Sequence, residues 1–181
     1  MIQITYPSLI ALISCLWILL RMLIYLKNKH FSWKRELELL LVYVCVIVVV
    51  RFTFFPFSKM NGKIQPLIFD AANTFPPRIN LIPIVNLFDY EIRREALINV
   101  IGNTAMFIPV GIIWPIAFRK LDTHRKVMAA GIGTSLIIEI LQLPFFDRVS
   151  DIDDLILNSL GFLIGYGICL LVKMATKKCG A

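Results

Sequence analysis

Apolar residues in this chain gather into five long runs, and the polar residues fall into short loops and one long connecting stretch. The runs are Pro7 to Leu26, Leu37 to Phe55, Leu97 to Phe118, Val127 to Leu143 and Leu155 to Val172. Each holds 17 to 22 residues, which matches the length an α-helix needs to cross a bilayer core. The pattern predicts an all-α integral membrane protein, residues 1–181 forming one membrane domain with five spans. The first run lacks a charged leading segment and a small-residue cleavage site, and Arg21 interrupts its far end. It reads as a retained span and not as a removable signal peptide.

Composition agrees, with 58% hydrophobic and 17% charged residues and a mean hydropathy of +0.77. The net charge of +7 would elsewhere suggest a nucleic-acid partner, but no nucleic-acid-binding motif accompanies it. Its distribution points to membrane topology, because cytoplasmic loops are enriched in lysine and arginine. Lys27, Lys29, Lys34 and Arg35 separate spans one and two; Arg119, Lys120, Arg125 and Lys126 separate three and four; Lys173, Lys177 and Lys178 follow span five. Those segments are expected to be cytoplasmic, with the C-terminus. The N-terminus, the stretch 56–96 and the loop 147–154 are then expected outside.

Cysteine and histidine restrict the chemistry. Cys15, Cys45 and Cys169 lie inside spans and Cys179 in the tail, without metal-ligand spacing, so no disulfide is expected. His30 and His124 fall in basic cytoplasmic loops. On this topology the outer face has no histidine, which argues against a Ser/His/Asp or Cys/His nucleophile and against a histidine-rich zinc site there.

The same topology brings polar residues of separate runs to one depth. Asn99 and Asn103 are four apart at the start of span three, and Asp154 and Asn158 repeat that spacing at the start of span five, so each pair shares a helical face. Glu139 and Gln142 occupy the last turns of span four, Glu139 about 6 Å from its end. The loop before span five adds Asp147, Arg148, Asp151 and Asp153, and the outer stretch adds Arg78 and Asn80, where Pro76, Pro77 and Pro83 favour a bent, extended path. Ile84, Leu87, Phe88 and Ile92 keep a helical apolar spacing among charged residues, which predicts an interfacial helix.

The segments RINLIPI (Arg78 to Ile84), NVIGNTAMFIPVGIIWP (Asn99 to Pro115), SLIIEILQ (Ser135 to Gln142) and DRVSDIDDLILNSLGFLIGY (Asp147 to Tyr166) resemble the VanZ-like family of bacterial membrane proteins. RFTFFPF at Arg51 to Phe57 is similar to the family's second-span ending, and the resemblance covers about residues 37–172. Founding members are associated with resistance to teicoplanin, a glycopeptide that binds cell-wall precursors. The resemblance implies a multi-pass protein of the bacterial cytoplasmic membrane with a role at envelope precursors or glycopeptides. It supplies no reaction.

Each motif has a structural and a functional reading. Gly161 with Gly165, and Ala129 with Gly133, are small-residue steps that let helices approach closely. Arg21 near a span end is expected to snorkel outward. Arg51 and Glu139 lie at matched depth, so they form an ion pair or leave Glu139 as a proton carrier. Ser150, Asp151, Asp153 and Asp154 suit helix capping, a hard-cation site for Mg²⁺ or Ca²⁺ bridging to a phosphate, or orientation of Arg78 and Arg148 toward a carboxylate or phosphate. The set Arg78, Asn80, Asn99, Asn103, Glu139, Gln142, Arg148, Asp151, Asp153, Asp154 and Asn158 is the candidate ligand site. Three function classes follow. The leading one binds a lipid-linked cell-wall precursor or anionic lipid headgroup; the second is a membrane enzyme using Glu139, Asp151 and Asp154 on a lipid-linked substrate; the third is a small transporter.

Overall fold

The structure is a computed structural model and describes residues 2–55, 59–60, 62–69, 78–83, 93–146 and 148–178. Among these, five helices coincide with the five apolar runs: α1 (Tyr6–Asn28), α2 (Trp33–Phe54), α3 (Arg93–Ala117), α4 (His124–Gln142) and α5 (Ile152–Lys178). Local chemistry sets several boundaries. The Thr5 side chain accepts from the Ser8 N–H ahead of α1, and Lys29 closes that helix at φ 49°, its N–H donating to the Tyr25 carbonyl. Thr123 caps α4 by accepting from the Lys126 N–H, as expected of a hydroxyl at an N-cap.

Four of the helices are long and apolar enough to cross a membrane, over Tyr6–Asn28, Trp33–Phe54, Leu97–Ala117 and Ile152–Thr176. The expected fifth, α4, stands apart. Its 19 residues are enough to span, but it opens on His124, Arg125 and Lys126 and carries Thr134, Ser135, Glu139 and Gln142 further on, so no long stretch of it is free of charge.

The protein is mostly helical, as expected, and among the described residues six short strands accompany the helices: β1 (Ile2–Ile4), β2 (Lys59–Met60), β3 (Lys63–Ile64), β4 (Leu67–Phe69), β5 (Ile79–Asn80) and β6 (Ser150–Asp151). β1 pairs antiparallel with β4, Ile2 opposite Phe69; β2 pairs with β3, with Gly62 at φ 74° in the turn. β5 runs parallel to β6, Asn80 opposite Asp151. Main-chain groups at the end of a helical bundle need partners, and segments of two or three residues supply them without leaving a hydropathy signal. Arg78 to Asn80 is extended as the prolines suggest, whereas the interfacial helix expected over residues 84–92 lies outside the described residues.

Close backbone approach fixes the centre of the bundle. A Cβ added at Gly161 would lie 2.1 Å from the Thr104 carbonyl oxygen, and one at Gly165 would lie 2.0 Å from that of Ile108, so α3 and α5 run parallel with their backbones in near contact. Phe107, Val110 and Phe162 are buried beside this seam. The Ala129–Gly133 step does not make the equivalent contact, since Gly133 has open space around it; Gly131 meets the Phe162 ring instead. α2 packs on α3 and α4 on α5. α1 has no buried residue and joins α2 through the Ser14–Tyr43 hydroxyl pair at 2.6 Å, the Trp17–Tyr43 rings and the Arg21–Glu36 ion pair. Arg21 therefore turns to a partner helix where snorkelling was expected, because Glu36 stands in the first turn of α2.

Candidate functional site

The ends of α2 and α4 and the starts of α3 and α5 meet at one end of the bundle, and most of the predicted site residues meet there. On α3, one turn brings Asn99 and Asn103 into register, and Asn103 donates to the Asn99 Oδ1 at 2.9 Å. Both asparagines donate to Asp154 Oδ1 on α5, Asn99 at 3.3 Å and Asn103 more closely. One carboxylate oxygen thus ties the two parallel helices together immediately above the glycine seam.

A second layer is built by α4. Ser135, Glu139 and Gln142 recur at helical spacing and are all buried, Glu139 to 4% exposure. Glu139 Oε2 accepts the Asp151 N–H at 2.9 Å, and the side chains of Ser150, Asp151 and Asp154 lie near this carboxylate. Asn158, 1% exposed, donates to Ser135 Oγ at 3.1 Å. Gln142 donates to the Thr53 carbonyl at 2.6 Å and so holds the end of α4 to the end of α2.

The loop closes over these layers. Asp151 caps α5, its Oδ1 accepting the Asp153 N–H at 2.9 Å, while its Oδ2 accepts from Asn80 at 3.1 Å. Capping by this cluster is therefore realised, with Asp151 as the N-cap. Arg148 donates through Nε and Nη2 to the Phe54 carbonyl at 3.0 and 2.7 Å. Arg78 donates to the Phe146 carbonyl at 2.6 Å and lies over the Phe146 ring. Both guanidinium groups thus direct some of their five N–H donors at main-chain carbonyls. The Arg51–Glu139 pair is not formed: Arg51 donates to the Phe55 carbonyl at 3.1 Å and packs against the Tyr6 and Phe52 rings. Matched depth on two helices does not place two side chains on facing sides.

The chemistry left over is that of acceptors. Five buried side-chain polar atoms have no partner among the described residues, and three of them, Glu139 Oε1, Gln142 Oε1 and Asn158 Oδ1, belong to this site. A buried unsatisfied acceptor costs about 1–3 kcal/mol, so a ligand that brings hydrogen-bond donors gains by entering. No group of three or more His, Cys, Asp or Glu side chains arranged to hold a metal ion occurs among the described residues. Asp147 lies outside them. Ser135 and Thr53 were missed in the sequence: a serine within an apolar helix and a main-chain carbonyl give no signal until their neighbours are known.

The family model described as VanZ/LLP1 matches residues 40–173. Searches of the curated proteins and of the solved structures return no match.

Proposed function

The chain belongs to the VanZ/LLP1 family, and from that premise we propose that it binds the polar head of a cell-envelope amphiphile in the outer leaflet, a lipid-linked cell-wall precursor being the leading class. The carrying observation is the trio of unpartnered buried acceptors beside the Asp154 carboxylate. Sugar hydroxyls, amide N–H groups and amino groups are the complementary donors. Binding at this site is the proposed route by which the protein alters how envelope precursors meet glycopeptides such as teicoplanin. The site's outward orientation in the bacterial cytoplasmic membrane, with α4 as a fifth span, is supported by the basic residues at the opposite end of the bundle.

Native mass spectrometry of the gently solubilised protein tests this reading. The expected result is a co-purifying amphiphile whose mass identifies its head group and whose occupancy falls at least tenfold in Glu139→Gln. That substitution keeps an oxygen for the Asp151 N–H and replaces the unpartnered acceptor by a donor. Equal occupancy in wild type and Glu139→Gln, at equal melting temperature, would remove this site from ligand binding.

A further inference from the structure

At the end of the bundle opposite the carboxylates, a cleft of about 600 Å³ is lined by His30, Ser32, Arg35, Ala117, Phe118, Arg119 and Lys120. Three separate pieces of chain build it: the α1–α2 loop, the first turn of α2 and the end of α3 with the turn that follows. Arg35 ties two of these together by donating to the Ala117 carbonyl, and its own charge is answered by Glu38 at 3.0 Å. Among the described residues the ion pairs are Arg21–Glu36, Arg35–Glu38 and Lys126–Asp122, and none of them involves Arg119 or Lys120. Ser32, the N-cap residue of α2, makes no side-chain cap bond and keeps a hydroxyl donor at the cleft.

Two further features suit a lipid more than a soluble anion. Phe118 forms an apolar wall beside the cations, and Phe31 and Trp33 are exposed next to the cleft, Trp33 to 82%. Aromatic side chains at this position mark the depth of lipid headgroups. Basic pockets between helix ends at that depth match phosphate geometry and charge.

We infer that this cleft binds the phosphate of an anionic phospholipid headgroup, with Arg119 and Lys120 as its principal ligands. It is separate from the proposed outer site and does not depend on it. The test titrates the purified full chain in detergent with phosphatidylglycerol, phosphatidylcholine of the same chains, and inorganic phosphate, reading adducts by native mass spectrometry. Phosphatidylglycerol is expected to bind in preference to phosphatidylcholine. Arg119→Gln with Lys120→Gln is expected to weaken it about 25-fold, from about fivefold per basic residue at a membrane surface. Arg125→Gln with Lys173→Gln removes the same charge from the same end outside the cleft and is expected to change binding less than twofold. Arg119→Lys with Lys120→Arg retains binding and shows that the pair of charges, not the fold, is responsible. Displacement of phosphatidylglycerol by millimolar phosphate supports the same phosphate chemistry from a soluble source, and resistance to displacement supports the lipid. Equal binding of both lipids, or an equal loss in the Arg125/Lys173 control, overturns the inference.

Discussion

Replacing Gly161 or Gly165 by alanine should separate the two helices that carry the site. The added methyl would stand 2.1 Å from the Thr104 oxygen in one case and 2.0 Å from the Ile108 oxygen in the other. Ordinary contact begins near 3.4 Å, so α3 and α5 must part by about 1 Å or more, since a carbonyl within a helix cannot rotate away. Overpacking of this kind costs about 1–3 kcal/mol, and a backbone obstacle belongs at the upper end. Alanine's helix propensity returns up to about 1 kcal/mol, leaving a net loss of about 2 kcal/mol. The same displacement stretches the Asn99–Asp154 bond from 3.3 Å beyond hydrogen-bonding range. Gly167→Ala is the matched control, because nothing lies within 4 Å of its added methyl, and it should be neutral or slightly stabilising. The assay is thermal unfolding in detergent, with ligand occupancy measured on the folded fraction. Melting of Gly161→Ala and Gly165→Ala indistinguishable from Gly167→Ala would refute the close α3–α5 seam.

Single cysteines at Ser150, Ser32 and Thr123, introduced after removal of Cys15, Cys45, Cys169 and Cys179, should divide by side. An impermeant thiol reagent added to intact cells should label position 150 only, and labelling of 32 or 123 instead would invert the proposed topology. Arg51→Leu and Glu139→Leu should lower folded yield additively, because the two side chains do not meet; recovery in the double mutant would reveal a coupling that the geometry lacks. Arg148→Gln should reduce stability by about 2 kcal/mol through loss of its charged donors to the Phe54 carbonyl. Ligand occupancy per folded molecule should stay unchanged, and a selective loss of occupancy at full stability would return Arg148 to the ligand.

Hydropathy located the helices because each apolar run is long enough to signal itself, and spacing placed Asn99 with Asn103 and Asp154 with Asn158 on common faces. Asp154 does meet the first pair, accepting from both asparagines, while Asn158 donates to Ser135 on α4. What periodicity cannot encode is rotation of one helix against another. Arg51 and Glu139 share a depth but face different neighbours, and Gly131 takes the packing role that the Ala129–Gly133 spacing suggested. Arg78 and Arg148 look in the sequence like anion ligands and in the structure donate to carbonyls that become available only once the chain has turned. Strands of two or three residues fall below any window that detects a span, so the β5–β6 pairing that sets Asn80 against Asp151 had no sequence signature beyond its prolines.

The most direct test of the central claim uses Asp154→Asn, which keeps Oδ1 as acceptor for Asn99 and Asn103, removes the negative charge and turns the second carboxylate oxygen into an N–H donor. Teicoplanin susceptibility of cells producing the variant should be measured together with the amount of folded protein in their membranes. The account predicts that the wild-type protein shifts susceptibility and that the variant, at an unchanged folded amount, does not. A shift that declines only in proportion to folded protein would contradict it, and would make the cluster a helix cap and hydrogen-bond network alone.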